Sequence, residues 1–209
     1  NKAAKYLTTY YGQLSFIKIN GGNDFSLSEQ KQISKEIEKE FNKNELSKLV
    51  VLLYELNKTK YSKHILKHLA SINIDEGSEI LSGNLAIKIG RYDYAIQIAK
   101  AASYEKRFHN NLNYPIINTP SFVNNKKMPS AELILAMIRQ ESEFDPKAHS
   151  HAGARGMMQI MTYTAKLIAK NAKLPYSKSR LTTDPKYNIK LGSYYITELL
   201  ENYESSYPF

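Results

Sequence analysis

What most restricts this chain is a spacing. Between Asn44 and Ala102 apolar residues recur three and four positions apart, as Leu46, Leu49, Val50, Leu53 and Leu56 do, and no strand-like alternation competes. That period puts apolar side chains on one face of an α-helix. Asn44 is predicted to cap the stretch. Tyr61, Ile65, Leu69 and Ile72 mark a further helix, and Leu81, Leu85 and Ile89 lead to Gly90, a candidate C-terminal glycine. Tyr92, Ala95, Ile96, Ala99 and Ala102 give another. Upstream, Ser28 is predicted to cap a helix with Ile33, Ile37 and Phe41 inward. Tyr6, Tyr10 and Leu14 suggest a helix ending near Gly21-Gly22, with the tyrosines in the core. Short amphipathic helices joined by Asn, Gly and Ser turns read as stacked helical hairpins, an α-superhelical scaffold without a strict repeat. The predicted fold class is all-α.

At 209 residues the chain is one large or two ordinary domains. No apolar run is long enough to cross a bilayer. The absence of cysteine excludes disulfides and cysteine nucleophiles. The five histidines show neither HExxH nor paired metal-ligand spacing, so no metal and no cofactor are expected. The net charge is +9, but the lysines are spread along the chain and interleaved with acids, as from Glu36 to Lys43. A solvated basic surface fits this better than a nucleic-acid footprint.

Residues 107–129 change character. Asn110, Asn111, Asn113, Pro115, Asn118, Pro120, Asn124, Asn125 and Pro129 make a helix improbable and suggest a linker or draped loop. The predicted organisation is a scaffold over 1–112, a linker over 113–129 and a second domain over 130–209. That domain opens on the most informative segment, residues 131–165. Ser130 is predicted to cap a helix carrying Ile134, Met137 and Ile138, and the next position on that stripe is Glu141. Asp145-Pro146 should stop the helix. A carboxyl on the buried face near a helix C-terminus would be desolvated, and its pKa would rise. A raised acid suits protonation of a glycosidic oxygen. Periodicity alone leaves a second and commoner reading, a solvated helix-end glutamate.

The small-residue loop Ser150 to Gly156 and the run Met157-Met158-Gln159-Ile160-Met161 follow directly. Together with Gln140-Glu141-Ser142 and Asp145-Pro146, they make the chain resemble the soluble (Slt-type) lytic murein transglycosylases, whose catalytic domain is goose-type lysozyme-like. Their pattern is Glu-Ser after an apolar helix, Asn/Asp-Pro, Ser-x-x-Gly-Ala, then Gly-Leu-Met-Gln-hydrophobic-Met. Tyr114-Pro115 resembles the family's phrase at the junction before that domain. Asp184-Pro185 with Asn188-Ile189-Lys190-Leu191-Gly192 resembles a later part of it, where Gly192 fits either close packing against another helix or a simple tolerated glycine.

The resemblance implies cleavage of the MurNAc–GlcNAc β-1,4 bond of peptidoglycan. The MurNAc C6 hydroxyl attacks its own anomeric carbon and closes a 1,6-anhydro ring, with help from the N-acetyl group. By the motif match, Glu141 is the single acid and then base. Ser142, Ser150, Gln159 and Met161 are substrate-binding candidates, with Ser142 bracing the site and Gly153 and Gly156 admitting the saccharide. Singly, Gln159 also reads as an exposed polar residue, Ser150 as a turn cap, and two of Met157, Met158 and Met161 as core. A single-acid mechanism fits the residues, since Glu143 should point away from Glu141 and Asp145 reads as a helix-stop residue. The resemblance further implies peptidoglycan glycan strands as partner, which a mild positive field suits, and a periplasmic location. It gives no nucleic acid, no membrane span, and cell-wall protein partners left unidentified.

There are departures. His151 and Thr162 stand where the family often has proline. The family's later Ala-Tyr-Asn-Ala-Gly motif is absent, so a fragment or truncated homologue, lysozyme-like domain incomplete, is expected. Two alternatives stay open: a hydrolytic muramidase, which would need a second placed carboxylate, and a non-catalytic helical scaffold binding glycan or protein.

Overall fold

The structure is a computed structural model and describes residues 2–22, 25–27, 31–72 and 76–203. It is built of helices with one small hairpin. The first half holds α1 (Tyr10–Asn20), α2 (Lys35–Lys43), α3 (Glu45–Glu55), α4 (Ser62–Ile72), α5 (Glu76–Lys88), α6 (Tyr92–Tyr104) and the short α7 (Asn110–Asn113). Consecutive helices pack on one another, α4 on α5 and α5 on α6. Their core is Val50, Leu66, Leu85, Ala86, Ile89, Tyr94, Ala95, Ile98, Ala99 and Leu112.

Local chemistry sets the boundaries. Asn44 Oδ1 accepts the Leu46 amide at 2.8 Å and opens α3 as predicted. Gly90 has a φ of +72°, Arg91 N donates to Ala86 O and Gly90 N to Ile87 O, so α5 ends in a Schellman motif. Gly83 is where α7 docks: a Cβ there would lie 2.4 Å from Leu112 Cδ1.

Several expectations are corrected. Ser28 lies outside the described residues, and α2 opens instead at Ser34, whose Oγ accepts the Ile37 amide. Ile33 precedes that helix and Ile37 is exposed. Tyr6, Tyr10 and Leu14 are exposed rather than core. The helix starts only at Tyr10, and it packs on the preceding turn through Gly12, where a Cβ would collide with the Tyr6 carbonyl. Leu49, Leu56, Tyr61 and Ile72 sit at the edges of their stripes and are exposed.

The segment 107–129 is not featureless. α7 is one helical turn, and β1 (Phe122–Val123) pairs antiparallel with β2 (Lys126–Lys127). Asn124 and Asn125 both have positive φ, 46° and 65°, the conformation a two-residue hairpin turn needs. This strand pair was not expected, because two-residue strands are too short to show an alternation. Beyond it lie α8 (Ala131–Ser142), α9 (Thr162–Asn171), α10 (Arg180–Thr183) and α11 (Pro185–Asn202). Their core includes Val123, Ile134, Ile138, Phe144, Met157, Ile168, Leu181 and Leu191, and also takes Ile96 from α6. That helix is thus shared by both cores.

A buried ionic cluster ties α5 to the turn before α7. Glu79 accepts from Arg107 Nη2 at 2.8 Å and from His109 Nε2 at 2.6 Å. Burial raises the Glu79 carboxyl, but hydrogen bonds and charge from Arg107 and His109 outweigh it and hold it below its ordinary 4.5. A depressed carboxyl contributes stability that is present above the unfolded-state pKa and lost as pH falls through the folded one. Denaturant unfolding should show stability declining as pH drops below that ordinary value. Glu79→Gln should flatten that decline and cost about 1–3 kcal/mol at neutral pH. Unchanged stability at both pH values would show that the cluster does not hold these elements together.

Candidate active site

α8 opens as predicted, with Ser130 Oγ accepting the Leu133 amide. It ends sooner than predicted. Ser142 is the last helical residue, and Glu143 and Phe144 follow with φ of 51° and 65°. Two successive left-handed residues turn the chain sharply before Asp145-Pro146 is reached. The turn buries Phe144 in the core against Tyr92 of α6, ring centroids 6.2 Å apart. Asp145 opens the next turn, its Oδ1 accepting the Lys147 amide at 2.9 Å.

Glu141 therefore stands in the final turn of α8. It is exposed, which corrects the expectation of a desolvated carboxyl on the buried stripe. Ile134 and Ile138 on that stripe are fully buried, but the helix runs past the edge of the core before Glu141. A groove of 420 Å³ lined by Tyr114, Leu135, Ala136, Arg139 and Gln140 lies against α8 and does not include Glu141. Its helical residues fall on the opposite side of α8 from Glu141, so it is not the candidate cleft.

The loop after α8 is tied to it by Ser142, whose hydroxyl donates to Met157 O at 2.7 Å. This bond ties Met157, the first residue of the Met157–Met161 run, to the helix end that carries Glu141. Ser150 closes a small turn: Gly153 N donates to Ser150 O, and Ala154 N donates to Ser150 Oγ, each at 3.0 Å. A hydroxyl that accepts in this way still has a hydrogen to donate. Gln159 has a φ of 43°, and its Nε2 donates to Gly156 O at 2.8 Å, which fixes its side-chain amide. Arg155 and Ile160 exchange backbone bonds at 3.1 Å in both directions. Met157 and Met158 are buried, whereas Met161 is 43% exposed beside the entrance to α9. Among the sequence candidates, Glu141, Met161 and the partly accessible Ser150 and Gln159 reach the surface, while Ser142 is spent on the brace.

Asn188 is the residue that sequence reasoning noted without giving it a role. It sits fully buried in α11. Its Oδ1 accepts Met158 N at 2.8 Å, and its Nδ2 donates to Arg155 O at 2.9 Å and Leu181 O at 3.1 Å. Asparagine is a poor helix-interior residue, and that was the available signal. Gly156 serves the same contact. Its φ is +73°, and a Cβ would lie 2.0 Å from Leu181 O and 2.4 Å from Asn188 Nδ2. The expectation that Gly156 admits a saccharide is corrected: the backbone it approaches is its own. Gly192 has a similar reason, since a Cβ there would meet Met158 Sδ at 2.3 Å. Gly153, unlike Gly156 and Gly192, faces open space.

The carboxylates nearest in sequence to Glu141 are engaged. Glu143 Oε1 lies 2.6 Å from Lys100 Nζ and 3.4 Å from Arg139 Nη1. Asp145 lies 3.7 Å from Arg91, which forks onto Asp93. Burial pushes the Asp93 carboxyl up, against the pull of Arg91. Among the described residues, no group of three or more His, Cys, Asp or Glu could hold a metal ion.

Comparison with known proteins identifies this helix–loop–helix arrangement. Over 98% of its length the chain superposes on a third of the 70-kDa soluble lytic transglycosylase Slt70 of Escherichia coli, with a TM-score of 0.77 at 20% identity. Its fold is thus that of the all-α soluble lytic transglycosylases. Residues 119–208 match the family model of the transglycosylase SLT domain. A Haemophilus influenzae relative is 42% identical over 77 residues, 37% of this chain and 13% of its own length. The soluble lytic murein transglycosylase of Escherichia coli K12 is 34% identical over 89 residues, 42% of this chain and 14% of its own length. The chain thus spans about one seventh of the curated relatives it matches.

Asn188→Ala strands the Met158 amide and the Leu181 carbonyl in the core, while the Arg155 carbonyl keeps its bond from Ile160 N. Each such group costs about 1–3 kcal/mol, so the variant should lose several kcal/mol. Gly156→Ala should be comparably damaging, because its neighbours are backbone and a fully buried side chain. Thermal unfolding of the two variants checks this, and a midpoint within a degree of the parent would contradict it.

Proposed function

We propose that this chain carries the cleavage site of a peptidoglycan lytic transglycosylase. In this reading residues 1–112 are scaffold, 113–129 join the parts, and 130–209 form the lysozyme-like part. Glu141 protonates the oxygen of the MurNAc–GlcNAc β-1,4 bond as that bond breaks. The resulting carboxylate then takes the proton of the MurNAc C6 hydroxyl while its oxygen bonds to C1, and the product is 1,6-anhydroMurNAc. The substrate's N-acetyl group shares the positive charge at C1 in between. Ser150 and Gln159 hydrogen-bond the sugars, Met161 lines the cleft, and Ser142 holds the loop in place. The covering that such an acid needs would come from the bound saccharide.

One observation carries this reading over a hydrolytic one. A retaining or inverting glycosidase needs a second free carboxylate roughly 5–10 Å from its acid. Here the nearby Glu143 is held by Lys100 and Arg139, and Asp145 by Arg91 and the Lys147 amide. A single acid with an internal nucleophile fits what remains. A peptidoglycan substrate supports a periplasmic location, in contact with glycan strands. No helix among the described residues is long and apolar enough to cross a membrane. Other cell-wall proteins as partners fit the scaffold half.

Glu141→Gln tests the proposal. The variant should fail to clear a suspension of purified sacculi while sedimenting with them as well as the parent does. A loss of roughly a hundredfold or more is expected for removal of a general acid. Clearance at the parent's rate would remove Glu141 from the chemistry. Binding without clearance in both proteins would favour the non-catalytic scaffold.

A further inference from the structure

The two residues that follow Ser142 are both gripped by α6, a helix of the scaffold half. Phe144 is buried against Tyr92, and Glu143 bonds Lys100 Nζ at 2.6 Å across 43 residues of sequence. The same Glu143 oxygen lies 3.4 Å from Arg139 Nη1. Arg139 is itself anchored, its Nε donating to Asn113 O at 3.0 Å and its Nη2 to Asn113 Oδ1 at 2.8 Å. The groups facing Glu143 are thus Lys100 from α6 and Arg139 from α8. A third contact repeats the pattern, since Arg91 at the start of α6 faces Asp145. Glu143 and Phe144 are held with positive φ, a backbone state that side chains other than glycine adopt only when their surroundings impose it.

We propose that Lys100 and Glu143 are a positioning pair: through this ion pair the scaffold helix α6 sets the end of α8, and with it the direction in which Glu141 is presented. The inference rests on the proposed role of Glu141 but adds residues that the chemistry does not touch. Neither is assigned a contact with the saccharide in the proposed mechanism. Their effect runs through the left-handed turn, which begins two residues after Glu141. The pair is part-exposed, with side-chain accessibilities of 45% for Lys100 and 31% for Glu143. Pairs of that kind contribute little to global stability and are weakened by salt. Their loss should therefore be felt locally, at the helix end.

The test compares Lys100→Met, Glu143→Gln, the double variant and the conservative Lys100→Arg. Amide hydrogen exchange over Gln140 to Phe144 reads the clamp without reference to activity. Lys100→Met should lower protection there by up to about fivefold, the reach of a part-exposed ion pair, while midpoints of unfolding stay near the parent's. The double variant should be no worse than either single one, because both remove the same interaction. Lys100→Arg should restore protection. On soluble glycan strands, kcat should fall by a similar factor with KM unchanged, and moderate salt should bring the parent toward the variants. Unaltered exchange in Lys100→Met and Glu143→Gln would overturn the proposal. So would additive losses in the double variant, or a rise in KM without a fall in kcat. If the parent released no product and exchange still responded, the positioning pair would stand and the reading of Glu141 would fall.

Discussion

The buried amide of Asn188 is the constraint on which the rest of the site depends. The stretch from Ala148 to Met161 makes few regular backbone pairs, and buried amides and carbonyls without partners are costly. One side chain meets three of them, at Met158, Arg155 and Leu181. The contact is possible only because Gly156 has no Cβ and accepts a positive φ. Ser142 adds the link to α8, and Gly192 lets Met158 lie flat against α11. With the loop fixed at these points, Gln159 is partly accessible and Met161 reaches the surface.

A second constraint comes from α6. One side of it, Tyr94, Ala95, Ile98 and Ala99, belongs to the scaffold core, while Ile96 and the packed Tyr92 belong to the other. Arg91 stacks on Tyr94 at 3.7 Å and forks onto Asp93, so even the first turn of the helix is fixed by buried charge. The scaffold is therefore part of the frame around α8. The Glu79, Arg107 and His109 cluster does the same work further back by anchoring α7. Basic residues in this half are absorbed by such pairings or by solvent, which accords with reading the charge of +9 as surface and framework.

Much of this was legible in the sequence because it is local. The helical period, the caps at Asn44 and Ser130, the Gly90 terminus and the Asp184-Pro185 start depend on residues within a few positions of one another. The loop motif was legible because several residue types recur at fixed offsets. What failed depended on distant partners. Burial of Glu141 was inferred from a stripe, but a stripe does not say where the core ends. The helix stopped at Glu143 and Phe144 because Lys100 and Tyr92 wait for them, and neither is visible from α8. Tyr6 and Tyr10 carry the right period, yet both stand exposed. Gly156 was given to the saccharide because Asn188, 32 residues on, could not be seen to fill the space.

The fate of the anomeric carbon separates transglycosylation from hydrolysis. Mass spectrometry of muropeptides released from purified sacculi reads this directly. The account predicts products ending in 1,6-anhydroMurNAc, absent when Glu141 is changed to Gln. Products with a reducing MurNAc end would show that water attacks instead. A second carboxylate would then have to be found beyond Glu143 and Asp145, which are engaged.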